Sequence, residues 1–115
     1  MTPKETMLRI DTLLSHVWMV RTFLKHSEEA EEDDELCQVY RGLYDYVLAL
    51  GPPCKAGDAE AYLRQAVKKF AKFRKSVELL AEIQPEISDH TNFKMAVHSA
   101  KAVVQEVGTL LERYG

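Results

Sequence analysis

The stretch from His90 to Tyr114, HTNFKMAVHSAKAVVQEVGTLLERY, decides the fold. Starting at His90, one line of residues runs through Phe93, Val97, Ala100, Val104, Val107 and Leu111 to Tyr114. Steps of three and four return side chains to the same side of a 3.6-residue turn, so this segment reads as a long amphipathic helix.

Working back from it, three more segments show the same period. Met7, Ile10, Leu14, Val17 and Leu24 form a stripe that also contains Arg21, widened by Leu13, Trp18, Val20 and Phe23. Leu36, Val39, Tyr40, Leu43, Tyr44, Val47 and Leu50 form a second, and Ala59, Leu63, Ala66, Phe70, Phe73, Val77 and Leu80 a third. Wide faces suit a bundle better than a two-stranded zipper. No run alternates in the manner of a strand. The four segments differ in aromatic and charge pattern and do not form a repeat.

Boundaries follow from capping chemistry. Thr2, Pro3 and Glu5 predict a capping box and a helix over 3–27. Asp33 or Asp34 caps a second helix over 34–50, which Gly51-Pro52-Pro53 stops. Asp58 caps a third over 58–84, closed by Pro85, and Ser88 or Asp89 caps a fourth over 89–113. Short connections favour antiparallel neighbours. The expected fold is all-α, an up-down-up-down antiparallel four-helix bundle in a single domain spanning 1–115.

Composition is that of a globular domain: 46% hydrophobic and 29% charged residues, with a formal net charge of -3. Such a balance gives no general attraction to nucleic acid or anionic lipid. No run approaches the roughly eighteen apolar residues of a membrane span, and no secretory signal is read at the N-terminus. Two cysteines, Cys37 and Cys54, in unrelated contexts suit a reducing compartment, so a cytoplasmic location is expected.

No catalytic constellation emerges. The sequence predicts a noncatalytic interaction or regulatory bundle, without a cofactor, that binds a protein partner or self-associates. The candidate contact residues are Trp18, Arg21, Tyr40, Tyr44, Tyr46 and Tyr62. Arg21 interrupts an apolar stripe and needs a carboxylate or several acceptors if buried. Glu35, Asp45, Tyr40 and Tyr44 are its candidate partners; a small-anion sensor with its pocket at Arg21 is an alternative. Glu28, Glu29, Glu31, Glu32, Asp33, Asp34 and Glu35 form an acidic run suited to solvation or to docking a basic partner. Arg64, Lys68, Lys69, Lys72, Arg74 and Lys75 give the third helix a basic exposed side, with Phe70 and Phe73 spaced for core packing rather than base stacking.

A metal-dependent bundle is the other alternative, drawing on His16, His26, His90 and His98 with carboxylates. Its usual Glu-x-x-His pairs are missing, so no metal ligands are assigned. The third helix has no histidine, which separates the chain from hemerythrin. Arg21-x4-His26 resembles the Arg-x4–6-His spacing of helical RNases of the HEPN family, which implies RNA cleavage. The acids that follow His26 would repel phosphate there. The acidic run resembles the Mg²⁺-binding carboxylates of all-helical nucleotide pyrophosphatases, yet those acids are distributed over two facing helices, whereas most here sit in one cluster.

Overall fold

The computed structural model describes all residues from 1 to 115 and is 86% helical, with no strands. Four helices follow in order: α1 at Pro3–Lys25, α2 at Asp34–Lys55, α3 at Ala59–Ile87 and α4 at Thr91–Leu111. A short 3-10 turn, Glu28–Glu31, lies between α1 and α2. The molecule measures 41 × 22 × 19 Å, and α3 alone, 29 residues long, reaches nearly its whole length at a rise of about 1.5 Å per residue.

Each helix packs against the next, and α4 closes back on α1. Antiparallel packing shows in the descending partner numbers. Thr6 meets Tyr114, Arg9 meets Glu106, and Phe23 meets Phe93 between α1 and α4. Gly42 faces Ser76 and Tyr46 stacks on Phe73 between α2 and α3. The chain is an antiparallel four-helix bundle.

One continuous core runs through it. Ile10, Val17 and Leu24 from α1 meet Leu36, Leu43 and Leu50 from α2, Ala66 and Leu80 from α3, and Val107 from α4, all without measurable exposure. Burying such a side chain fully is worth about 1.5–3 kcal/mol, which makes this shared interior the main stabilising contribution. Phe70 and Val104 are only partly covered and pack on its margin.

Several helix boundaries differ from the sequence expectation. The second helix does not stop at Gly51-Pro52-Pro53 but continues to Lys55. Two prolines in its last turn offer no N–H to the Leu48 and Ala49 carbonyls; Leu48 is exposed and Ala49 borders an open hollow with Pro52 and Pro53, so this stretch of the helix lies at the surface. The stop comes at Gly57, with φ of 68°; Gly57 N–H donates to the Cys54 carbonyl and Asp58 N–H to the Pro53 carbonyl, the paired bonds of a Schellman cap. Cys54 to Lys55 are therefore helical, not loop.

The third helix likewise passes Pro85 and ends at Ile87. Pro85 removes the donor to the Ala81 carbonyl, on a side of α3 that lines another open hollow. Ser88 and Asp89 do not cap α4; His90 does, its Nδ1 accepting from Asn92 N–H at 3.0 Å. That bond puts any single ring proton on Nε2. The first helix ends two residues earlier than expected, at Lys25, and Asp33 caps α2 by accepting from Leu36 N–H at 2.9 Å.

Candidate functional site

Trp18 and Arg21 stand three residues apart on α1, and Tyr40 and Tyr44 four apart on α2. Each pair therefore shares a face of its own helix. The antiparallel packing of α1 on α2 brings the two faces together beside the acidic turn. Of the candidate partners of Arg21, the carboxylates Glu35 and Asp45 form no ion pair with it, and its side chain is half-buried. Its guanidinium carbon lies 4.8 Å from the centre of the Trp18 ring and 4.8 Å from that of Tyr44. The ring centroids are 6.2 Å apart with planes tilted by 42°. That separation is well short of twice 4.8 Å. The rings are thus adjacent walls of a notch in which the cation rests, not two sides of a sandwich.

The arrangement has opposed energetic consequences. Arg21 Nε is buried without an acceptor, and a donor in that position costs about 1–3 kcal/mol. Two cation–π contacts offset that cost at about 0.5–2 kcal/mol each. They also hold the Trp18 ring in place while leaving it 42% exposed. Leu48, one turn beyond Tyr44 on α2, is 57% exposed and extends the apolar surface.

Tyr40 lies one turn before Tyr44 on the same face of α2, near enough for its phenol to feel the charge of Arg21. Its phenol is held above the ordinary tyrosine range, chiefly by hydrogen bonding with the Cys37 thiol and then by burial; the positive charges of Arg41 and Arg21 act in the opposite sense. The Cys37 thiol donates to the Ala30 carbonyl at 3.3 Å, tying the start of α2 to the acidic turn. Ala30 is buried and anchors that turn, while Glu28, Glu31, Glu32, Asp34 and Glu35 face solvent. None of its seven acids forms an ion pair.

Two residues expected at the interface lie in the core instead. Tyr46 is buried, stacked on Phe73 with centroids 4.4 Å apart, and its hydroxyl donates to the Ala66 carbonyl at 3.0 Å. Tyr62 is buried too, with a hydroxyl that has no partner. Burial raises both phenols well above the ordinary range, with Asp11, Cys54 and Tyr46 adding to the effect on Tyr62. Neither ring can meet a partner.

The comparisons with known proteins supply no further assignment: no family model, curated protein or solved structure matches this chain significantly. Nor do His, Cys, Asp and Glu side chains gather in threes in a way that would hold a metal ion. His16, His26, His90 and His98 are all exposed. No helix is long and apolar enough to cross a membrane. Both cysteines are free thiols.

Sequence reading missed the bidentate pair of Arg9 with Glu106, at 2.6 and 3.0 Å, because 97 positions separate its members. It also missed Leu48 as an exposed neighbour of Tyr44. The spacing of four between them was a readable signal.

Proposed function

We propose that the chain is a noncatalytic protein-interaction bundle, acting in the cytoplasm, whose contact patch is the notch of Trp18, Arg21 and Tyr44 with Leu48 at its edge. One observation carries this reading: Trp18 remains 42% exposed although Arg21 and Tyr44 fix its orientation. Trp, Tyr and Arg dominate the binding energy of protein interfaces, where they fill pockets and exclude water. A ring already held in place loses little freedom on binding, so more of its buried area becomes affinity.

The acidic turn beside the notch adds selectivity. Exposed carboxylates at the rim of an interface speed encounter with a basic partner and discriminate against acidic ones. The partner would therefore present an apolar pocket flanked by lysine or arginine.

Quantitative affinity capture from the protein's own cells tests the proposal. The wild-type chain is compared with Trp18→Ala, Arg21→Ala and, as a control at an exposed apolar position elsewhere, Leu8→Ala. Circular dichroism confirms that each variant is helical. Partners retained by the wild type and by the Leu8 variant but lost from the Trp18 and Arg21 variants support the reading. An identical set of partners on all four proteins rejects it.

A further inference from the structure

Between α2 and α3 lies an open groove of about 510 Å³. Its floor contains Tyr46 and Phe73, and its sides carry Arg41, Lys69, Lys72 and Lys75, with Asp45 as the single acid. None of these four cations is in an ion pair. The three ion pairs of the molecule join Arg9 to Glu106, Arg64 to Glu60 and Arg74 to Glu78. On α3, then, two exposed arginines are paired with carboxylates one turn away, Glu78 being taken by Arg74, while the three lysines on the groove are in no ion pair.

The largest source of opposite charge is the turn from Glu28 to Glu35, also unpaired. Asp34, Gln38, Arg41 and Asp45 succeed one another along α2 in steps of four, three and four. The end of the acidic turn and the groove therefore open on the same side of the bundle. They cannot meet within one chain, because continuous helix separates Asp34 from Asp45 by about 16 Å. A two-fold axis near Gln38, perpendicular to α2, removes that obstacle. It sets a second copy antiparallel, with each acidic turn over the other's groove, and both contacts form at once, as in an isologous dimer.

We propose that the α2–α3 groove binds the Glu28–Glu35 turn of a second copy, making the chain a reciprocal, charge-matched dimer. This shares with the interaction reading above only the premise that the acidic turn meets a basic surface; the Trp18 notch takes no part. The glutamate and aspartate carboxylates of the turn face Arg41, Lys69 and Lys72 on the sides of the groove. Exposed pairs are individually weak and screened, so the dimer is salt-sensitive.

Sedimentation velocity over a concentration series, at about 20 mM and about 0.5 M salt, tests this. Two double variants are used: Lys69→Glu/Lys72→Glu in the groove and Glu31→Lys/Asp34→Lys in the turn, leaving the Asp33 cap intact. The wild type dimerises at low salt and dissociates at high salt. Each double variant alone self-associates at least about tenfold more weakly, since attraction becomes repulsion. Mixed together they restore a dimer, because the acidic groove of one variant then meets the basic turn of the other, while the second contact pairs an unaltered groove with an unaltered turn. Trp18→Ala leaves dimerisation unchanged, which separates this result from the fate of the notch.

A wild-type chain that stays monomeric at low salt overturns the proposal and leaves the groove to an acidic segment of another protein. A dimer that tolerates both reversals, a mixture that does not re-associate, or a dimer lost with Trp18→Ala overturns it equally.

Discussion

Gly42 on α2 approaches Ser76 on α3 so closely that a Cβ at position 42 would lie 1.9 Å from the serine Oγ and 2.9 Å from its Cβ. Rotation of Ser76 would relieve the first contact but not the second, so the helices themselves would have to separate. Gly42→Ala is expected to destabilise the bundle. Overpacking costs about 1–3 kcal/mol, whereas the gain in helix propensity is only about 1 kcal/mol. A double-mutant cycle in urea with Ser76→Gly checks this. The serine substitution should cost less in the Gly42→Ala background than in the wild type, since it removes the clash there. Equal costs in both backgrounds would mean that the approach is not sterically limiting.

Tyr46 and Tyr62 make opposite predictions from one chemical change. Tyr46→Phe removes a buried hydrogen bond to the Ala66 carbonyl and should cost about 1 kcal/mol. Tyr62→Phe removes a desolvated hydroxyl that has no partner, so it should be neutral or stabilising by about 1 kcal/mol. Urea midpoints at neutral pH decide the order; a larger loss at Tyr62 would show that its hydroxyl has an acceptor after all.

The same two phenols fix an alkaline limb. Both titrate above their ordinary value of 10.0 in the folded chain, mainly because burial disfavours the phenolate. A raised value contributes stability that is whole below pH 10.0 and is lost as pH climbs toward the folded-state value. Stability should fall above pH 10.0, and Tyr62→Phe should make that fall shallower. An unchanged slope in the variant would contradict the assignment.

The helix faces were legible because period alone reports them: Phe93, Val97, Ala100, Val107 and Leu111 are all buried. What period cannot report is the register between helices. Tyr44 and Tyr46 stand two apart on α2, so they point to different sides, yet only the position of α3 shows that Tyr46 is the inward one. Arg21 was visible as an intruder on its stripe. Its aromatic setting was not, since it depends on which turn of α2 lies opposite.

Gly57 rather than Gly51 carries the reversal between α2 and α3, and this difference can be measured. Only Gly57 has positive φ, and a Cβ at Gly51 would meet nothing within 4 Å. Gly57→Ala should destabilise by about 1 kcal/mol, because an L side chain is strained in the left-handed region. Gly51→Ala should be close to neutral, because the gain in helix propensity of about 1 kcal/mol is opposed by crowding of the new Cβ against the ring of Pro52. Thermal melts of the two variants are sufficient, and a reversal of their order would return the helix stop to Gly51.

Arg9 and Glu106 make the final prediction, on the acid side. The two hydrogen bonds from the Arg9 guanidinium, followed by its charge, hold the Glu106 carboxyl below its ordinary value of 4.5. A depressed value contributes stability that is complete above pH 4.5 and disappears as pH falls through the folded-state value. Glu106→Gln keeps an acceptor but removes the charge. It should therefore be less stable than the wild type near neutral pH and converge with it as pH falls through the folded-state value, below which both side chains are uncharged. The gap at neutral pH should narrow as salt is added, since both groups are partly exposed to solvent. Urea titrations of the two proteins across this range measure the gap directly, and a constant difference between them at every pH would show that the pair contributes shape rather than charge.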